Sequence, residues 1–288
     1  MRSIDTAKLD IFLKQVLLED ACCRDITTRS LNYGNLKVKA VLKAKEAGTC
    51  AGMNILKPLF KLVDKNIKFK VLVKDGQDFS RGKVLARVEG KASSILTCER
   101  AALNFISRLS GIATLTRQFV KKVRPYKVRI MDTRKTTPGL RLLEKYAVRM
   151  AGGYNHRYDL AEAILIKDNH IAALKKKYGA LNLCVVLKKL KKRSRVKEIE
   201  IEVNSVAEFK QTLSCPPDII MLDNMSLPQM RECVKLRNSS RKKVQLEISG
   251  NVSLSNVRNL ASLGVDRISI GKLTHSPKAV DISLEVVG

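Results

Sequence analysis

Tryptophan is absent from this 288-residue chain, histidine occurs three times, and acidic residues are about half as frequent as basic ones. No segment approaches the ~20 consecutive apolar residues that a membrane-spanning helix requires. The first residues also lack the continuous apolar stretch of a secretory signal peptide. From these absences we expect a soluble protein that remains in the cytoplasm, where it is made.

The seven cysteines form no Cys-x-x-Cys pair, and Cys22 and Cys23 are adjacent. Adjacent cysteines are poorly placed to form a disulfide with each other, and an odd number cannot all pair. With only three histidines available, a zinc site is not favoured either. The pattern indicates reduced thiols, mostly buried as small apolar side chains.

Basic residues are in large excess: 55 Lys and Arg against 27 Asp and Glu give a formal net charge of +28. Such a charge attracts anions, whether nucleic acid, anionic lipid or phosphorylated metabolite. The densest basic run, residues 188–195 (KKLKKRSR), is typical of a solvated face and its loop, or of a sequence-independent nucleic-acid contact. No aromatic residue is interleaved with this run, so stacking on bases is not favoured.

The first part of the chain combines helical and alternating apolar patterns. Residues 5–20 have helical spacing, whereas residues 36–42 and 67–73 alternate with period two, which predicts half-buried strands. Glycines at positions 76, 82 and 90 predict turns. Residues 92–123 predict a second helix, in which we expect an interruption near Ser110 and Gly111.

After residue 126, short apolar runs alternate with helical stretches. This alternation predicts parallel β/α units, and six such runs in one layer predict a barrel or an open α/β sheet. The runs are 127–131, 163–166, 196–203, 218–222, 244–248 and 267–270. Residues 281–286 alternate again, and we expect them to return to the first sheet.

Polar side chains cluster at or just beyond the C-terminal ends of these runs. Because the C-terminal ends of parallel strands share the face of a barrel that holds the active site, we expect the polar groups to meet there. They comprise a cationic set, two acids and residues that offer backbone amides: Arg134, Lys135, His156, Arg157 and Lys167; Glu202 and Asp223; Ser249, Gly250 and Gly271. Cations bind carboxylate or phosphate, paired acids suit Mg²⁺ or sugar hydroxyls, and amides at helix N-termini bind phosphate. This combination predicts a site for a phosphorylated sugar beside a polycarboxylate.

Other chemistries find less support in the sequence. Residues 76–84 resemble a phosphate-binding P-loop, but five residues separate the glycines and Val84 stands where the motif needs Ser or Thr. Neither G-x-G-x-x-G nor H-E-x-x-H occurs, so Rossmann redox chemistry and a zinc protease are not favoured. Lys167 has two further interpretations, a simple ion-pair partner or a Schiff-base lysine.

Longer motifs follow one another in a characteristic order. They are 99–104 (ERAALN), 109–114 (LSGIAT), 132–139 (DTRKTTPG), 155–157 (NHR), 165–170 (LIKDNH), 200–203 (EIEV), 222–224 (LDN) and 271–276 (GKLTHS), with 19–20 and 25–28 near the N-terminus. In these motifs the chain closely resembles the quinolinate phosphoribosyltransferases, also called carboxylating nicotinate-nucleotide pyrophosphorylases. The resemblance extends from about residue 15 to the C-terminus.

The resemblance implies an α/β enzyme of two domains. An N-terminal α/β open sandwich would comprise residues 1–112 with 272–288, and an incomplete parallel β/α barrel, residues 113–271, would hold the active site. It also implies a homodimer or a hexamer in which Arg100 contributes to the site of the partner.

The implied reaction transfers the phosphoribosyl group of phosphoribosyl pyrophosphate to quinolinate, with decarboxylation and without a covalent enzyme intermediate. By resemblance, quinolinate would contact Arg100, Arg134, Lys135, His156, Arg157 and Lys167. Phosphoribosyl pyrophosphate would contact Lys135, Glu202, Asp223, Ser249, Gly250, Gly271 and His275. The implied catalytic residues are Lys135, Lys167, Glu202 and Asp223, the last two also holding Mg²⁺ indirectly, through substrate and water. Asn251 and Lys272 depart from the usual family pattern.

Two other functions stay open at this point. One is a phosphoribosyltransferase of the same fold with a different acceptor, and the other is a nucleic-acid-binding protein that uses the basic surface. Arginines at 100, 134 and 157 argue against an acceptor with fewer carboxylates, because a buried cation would be left unpaired.

Overall fold

The computed structural model describes residues 6–179, 183–193 and 198–287. Its strands, in chain order, are β1 (Lys37–Ala44), β2 (Gly48–Thr49), β3 (Lys68–Val71), β4 (Asp78–Phe79), β5 (Val84–Lys91), β6 (Arg129–Met131), β7 (Ile164–Ile166), β8 (Ile199–Val203), β9 (Ile219–Asp223), β10 (Gln245–Ser249), β11 (Arg267–Ser269) and β12 (Ile282–Val287). Its α-helices are α1 (Thr6–Glu19), α2 (Ile26–Ser30), α3 (Met53–Val63), α4 (Ala92–Val123), α5 (Arg141–Met150), α6 (Asp168–Tyr178), α7 (Leu183–Arg193), α8 (Val206–Ser214), α9 (Leu227–Ser239), α10 (Val257–Ala261) and α11 (Lys272–His275). The chain divides into two units, which are described in turn.

The first unit comprises Met1–Arg117, Thr137–Gly152 and Leu273–Gly288. Its main sheet is antiparallel, with the strand order β12-β1-β5-β3. β12 pairs with β1 along its whole length, which confirms that the tail returns to the first sheet. The side chains of Leu56, Leu59 and Phe60 in α3 are fully buried and form part of the core of this unit.

α4 is one continuous helix of 32 residues, so the predicted interruption at Ser110 and Gly111 is wrong. A Cβ at Gly111 would lie 2.2 Å from the carbonyl oxygen of Lys278. The glycine therefore allows the C-terminal segment to pass close to α4, and it does not interrupt the helix. Gly90 was likewise wrongly predicted as a turn, because it lies inside β5. A Cβ there would lie 2.8 Å from Cγ1 of Ile67.

The second unit comprises Gln118–Thr136 and Gly153–Lys272. It contains a parallel sheet of six strands in the order β6-β11-β10-β9-β8-β7. Each of the six apolar runs after residue 126 overlaps one of these strands, and the α/β class with a partial barrel is confirmed. Ile201, Ile220 and Leu246 in the central strands are fully buried.

Several expectations from composition can be compared with the described residues. The units divide at Arg117 and Lys272, and the first unit takes in Thr137–Gly152, a segment that the sequence interpretation did not set apart.

The basic run 188–195 continues α7 as far as Arg193, and its last two residues lie outside the described residues. All seven cysteines are free. Among the described helices, none has the length and apolar character to cross a membrane.

Candidate active site

The register of the parallel sheet places several charged side chains on one face. Side chains alternate along a strand, and paired residues of neighbouring parallel strands point to the same side. The ladder from β8 through β9 to β10 aligns Glu202 with Glu247, and further along it pairs Asp223 with Ser249. Glu200, two residues before Glu202, shares this face. Three neighbouring strands therefore present acidic groups to the same side of the sheet.

Lys167 directly follows β7 and forms an ion pair with Glu202 on β8. The Nζ atom lies 2.9 Å from Oε2, with the lysine side chain 46% exposed and the glutamate side chain 12% exposed. The backbone N–H of Lys167 donates to Nδ1 of His170 at 2.9 Å, which fixes the start of α6. An exposed, ion-paired ammonium favours the ion-pair interpretation over a Schiff-base nucleophile, which needs a neutral amine.

The buried carboxylate of Asp132 organises the segment beside β6. Its oxygens accept hydrogen bonds from Nδ2 of Asn155 at 2.6 Å and from the backbone N–H of His156 at 2.8 Å. Tyr154 forms a parallel bridge to the end of β6, and the backbone N–H of Asp132 donates to its carbonyl at 3.0 Å. These bonds hold His156 and Arg157 next to the carboxyl end of the strand.

His156 lies above two buried glutamates of the sheet. Its Nε2 atom is 3.0 Å from Oε2 of Glu200 and 3.4 Å from Oε1 of Glu247, and the three side chains are 9%, 4% and 0% exposed. On the other side of the ring, Nδ1 accepts the backbone N–H of Arg157 at 2.9 Å. We refer to His156, Glu200 and Glu247 as the buried triad.

Burial and close charges shift the pKa values of His156 and Glu200 in the buried triad. Burial by itself lowers the pKa of His156, but hydrogen bonding to Glu200 and Glu247 and their charges outweigh it and raise this pKa to about 10. Burial and the charge of Glu247 also raise the pKa of Glu200. In so close a group, titration belongs to the cluster and not to one residue.

Two arginines provide the cationic side of the site. Nε of Arg134 is buried and has no hydrogen-bond partner in the described part of the chain. Burial and the charge of Arg134 lower the pKa of Arg157, whose Nη1 donates to the carbonyl of Ala163 at 3.0 Å. Two guanidinium groups close enough to influence each other are stabilised when an anion binds between them.

The loops after β9 and β10 meet through unusual backbone conformations. Asn224, Gly250 and Asn251 all have positive φ, at 52°, 84° and 51°. A Cβ at Gly250 would lie 2.1 Å from Oδ1 of Asn224, so only glycine fits. Nδ2 of Asn224 donates to Oδ2 of Asp223 at 2.7 Å, which links this loop to the acidic face. Asparagine tolerates positive φ better than other non-glycine residues, which accounts for residue 251.

Two family models cover most of the chain. The N-terminal domain of quinolinate phosphoribosyl transferase matches residues 25–110, and the C-terminal domain matches residues 112–285. The chain belongs to the quinolinate phosphoribosyltransferase family.

Relatives of this family are similar along their whole length. The probable nicotinate-nucleotide pyrophosphorylase [carboxylating] of Bacillus subtilis (strain 168) is 40% identical over 280 residues, covering 97% of this chain and 93% of that protein. The protein of the same name from Methanocaldococcus jannaschii is 40% identical, with 96% of each chain covered. The crystal structure of NadC from Streptococcus pyogenes matches with a TM-score of 0.89 and 38% identity, with 100% of each chain covered.

The residues to which the family resemblance assigns roles are divided between the two units. The second unit holds ten of them: Arg134, Lys135, His156, Arg157, Lys167, Glu202, Asp223, Ser249, Gly250 and Gly271. Arg100, exposed on α4, and His275, exposed on α11, belong to the first unit. The part that each plays in the family reaction stays a prediction.

The sequence interpretation missed charged residues inside the strands of this quinolinate phosphoribosyltransferase fold. Glu247 is fully buried in β10, and Arg267 in β11 is 7% exposed. Nη2 of Arg267 lies 2.7 Å from Oε1 of Glu198, and its Nε donates to Gln245 at 2.8 Å. The available signal was a charge within an otherwise apolar run, as in VQLEI and RISI, whereas the sequence interpretation concentrated on residues at or just beyond the C-terminal ends of the runs.

Proposed function

We propose that this chain transfers the phosphoribosyl group of phosphoribosyl pyrophosphate to quinolinate, giving nicotinate mononucleotide, pyrophosphate and CO₂ in NAD biosynthesis. Family membership across both domains supports this activity. The structural observation that carries it is the buried Nε of Arg134, which has no hydrogen-bond partner among the described residues, in the unit whose strand ends present Arg157, Lys167, Glu202 and Asp223. It would act as a pentosyltransferase.

The arginines fit the acceptor. Quinolinate is a pyridine with two adjacent carboxylates, and guanidinium groups bind carboxylates through two parallel hydrogen bonds. Arg134 has a buried Nε that is free of protein partners in the described residues, which suits a ligand. Arg134 and Arg157 would therefore orient the diacid, with Lys135 and Lys167 adding positive charge beside it.

The acidic face fits the sugar and its metal. Glu202 and Asp223 are carboxylates on neighbouring strands, and carboxylate oxygens and water are the ligands that Mg²⁺ prefers. These residues would hold the ribose hydroxyls and, through substrate and water, Mg²⁺, and Ser249, Gly250 and Gly271 would lie near the 5′-phosphate. When bound, the metal ion neutralises charge on the departing pyrophosphate.

The reaction then depends on how the enzyme positions its two substrates, and no covalent bond would form between enzyme and substrate. As pyrophosphate leaves the anomeric carbon, the pyridine nitrogen donates its lone pair to that carbon and forms the new bond. The carbon–carbon bond to the 2-carboxylate next breaks, its electrons pass to the cationic ring, and a proton takes the place of the CO₂ released. Fixed arginines hold nitrogen and carbon at attack distance, which supplies much of the acceleration in such reactions.

The assembly is part of the proposal. We expect a homodimer or a hexamer in which Arg100 contributes to the site of a partner subunit, as the family resemblance implies. Arg100 is exposed in the single chain, which is compatible with this role.

A direct assay tests the proposed function. Purified protein with Mg²⁺, phosphoribosyl pyrophosphate and quinolinate should release CO₂ and pyrophosphate in equal amounts, and chelating the metal should abolish both. Release of neither product would refute the proposal. Pyrophosphate release with nicotinate in place of quinolinate, at equal or higher kcat/KM, would indicate the same fold with a different acceptor.

A further inference from the structure

We propose that Asn224 is a positioning residue that orients the carboxylate of Asp223 through its side-chain amide, and that Asn251 holds Asn224 in this orientation. The three residues belong to the second unit and lie at the end of β9 or in the loops after β9 and β10. The inference rests on the proposed function only for the ligand that Asp223 would bind, the ribose of phosphoribosyl pyrophosphate.

The chemistry of the groups fixes which way the Asn224 amide is turned. An ionised carboxylate only accepts hydrogen bonds, whereas an amide side chain donates through its nitrogen and accepts through its oxygen. Nδ2 of Asn224 therefore faces Asp223, and it donates to Oδ2 at 2.7 Å. The amide oxygen, Oδ1, accepts a hydrogen bond from Nδ2 of Asn251 at 3.3 Å. The three side chains thus form one row of hydrogen bonds that ends on the carboxylate.

The two loops hold this row in place. The backbone N–H of Asn224 donates to the carbonyl of Ser249 at 3.1 Å, which joins the loop after β9 to the end of β10. Nδ2 of Asn256 donates to the carbonyl of Asn251 at 2.9 Å. A Cβ at Gly250 would lie 2.1 Å from Oδ1 and 2.7 Å from Cγ of Asn224. The amide of Asn224 therefore occupies the space that a side chain at residue 250 would need.

The row fixes Asp223 and still leaves one of its oxygens for a ligand. Oδ2 accepts the amide hydrogen bond, whereas Oδ1 has no hydrogen-bond partner in the part of the chain that the structure describes. Glu202, the other acid of the predicted ribose site, is held by Nζ of Lys167 at 2.9 Å from its Oε2. Each acid therefore has a protein partner on one oxygen, and hydrogen bonds to a charged acceptor are the stronger ones.

The competing explanation is that asparagine is present at both positions only for its backbone. Asn224 and Asn251 have φ of 52° and 51°, a conformation that glycine and asparagine tolerate better than other residues. On that explanation, glycine should serve as well as asparagine at either position. Replacement by glycine separates the two explanations, because it removes the amide and does not strain the backbone.

The first test measures the rigidity of the Asn224 amide in the free protein. ¹⁵N relaxation of this side chain, assigned by comparison with Asn224→Gly, should give an order parameter of about 0.8, close to that of rigid backbone. In Asn251→Gly the value should fall below about 0.6, because one of the two hydrogen bonds is lost. A flexible amide in the wild type, or an unchanged value in Asn251→Gly, would overturn the proposal. The measurement needs neither substrate nor turnover, so its result does not depend on the proposed function.

Steady-state kinetics test the consequence for the substrate. Asn224→Gly should raise the KM for phosphoribosyl pyrophosphate about tenfold, with kcat and the KM for quinolinate within about twofold, because the ribose hydroxyls stay bound throughout the reaction and their orientation contributes uniform binding. Asn251→Gly should raise the same KM about threefold, since it weakens the row at its far end. Equal rises in both KM values, or wild-type kinetics in Asn224→Gly, would contradict the positioning role.

A double variant and a matched control complete the test. Asn224→Gly combined with Asn251→Gly should be no worse than Asn224→Gly alone, because Asn251 acts through the Asn224 amide. The control is Asn32→Gly, the same substitution at an exposed residue of the first unit with φ of 42°, which should leave both KM values unchanged. Additive effects of the two glycine substitutions would show that Asn251 acts independently of Asn224 and would overturn the proposal.

Discussion

Gly250 and Asn224 lie so close together that the conformation of the loop after β10 depends on residue 250 having no side chain. In Gly250→Ala, the new Cβ would meet Oδ1 of Asn224 at 2.1 Å in a backbone with φ of 84°. We expect a rise in the KM for phosphoribosyl pyrophosphate and a loss of stability of about 2–3 kcal/mol, from the clash and the left-handed backbone together.

Gly264→Ala is the control for this prediction. Gly264 has almost the same φ, 86°, but open space where its Cβ would lie, so it should lose only about 1 kcal/mol, with unchanged kinetics. Denaturant unfolding and steady-state kinetics of both variants decide the matter. Equal losses in the two variants would show that the contact with Asn224 is unimportant.

Lys167 pairs with Glu202 at the start of α6, where its ammonium is partly exposed. Lys167→Ala should lower kcat/KM by about 10²–10³, as loss of one charge-stabilising group does in other enzymes. Its melting temperature should stay within a few degrees of wild type, because a partly exposed ion pair contributes only about 0–1 kcal/mol. Near-normal kcat/KM would refute the assigned role.

The sequence was sufficient to predict polar residues at or just beyond the ends of strands, but not contacts that depend on which strands are neighbours. Lys167 and Glu202 were predicted separately, and their contact required the pairing of β7 with β8. The buried triad could not be predicted in the same way. Whether Glu247 stabilises His156 or faces solvent depends on which strand lies beside β10 and on which face is covered, and a single run of letters records neither.

At the scale of elements, apolar periodicity predicted all six strands of the parallel sheet, because strands buried on both faces are nearly continuous apolar runs. Glycine proved a weaker guide. Gly111 and Gly90 lie within a helix and a strand, where each makes room for another segment. A glycine required by close approach and a glycine required by a turn look the same in sequence.

α4 offers a test of that close approach. Replacing Gly111 by alanine improves helix propensity by about 1 kcal/mol in isolation, yet here the Cβ would lie 2.2 Å from the backbone oxygen of Lys278. We therefore expect net destabilisation of about 1–3 kcal/mol in urea unfolding, since backbone must shift. Gln118→Ala, at an exposed position of the same helix, should be neutral or slightly stabilising. A stabilised Gly111→Ala would contradict the contact.

At the scale of the molecule, the net charge of +28 exceeds what two anionic substrates require, and no feature of the described residues accounts for the excess.

The proposed assembly can be tested by mixing two inactive variants. If Arg100 completes the site of a partner, a 1:1 mixture of Arg100→Ala and Lys167→Ala chains should regain activity after co-refolding.

The expected recovery is quantitative. Half of randomly paired dimers are mixed and each has one intact site, so about a quarter of wild-type activity should return. A mixture as inactive as its two components would show that each chain holds a complete site. Separate refolding followed by mixing on ice serves as the control for exchange.

The pairing of β12 with β1 has a consequence for synthesis. Lys39 lies opposite Val287, so the edge of the first sheet is closed by a strand that is synthesised after every strand of the parallel sheet. The parallel sheet, whose strands fall between Arg129 and Ser269, has all its strands earlier. During translation the barrel unit can therefore form while β1 still presents an unpaired edge, and nascent chains halted before β12 is synthesised should be more prone to aggregation than chains that contain it.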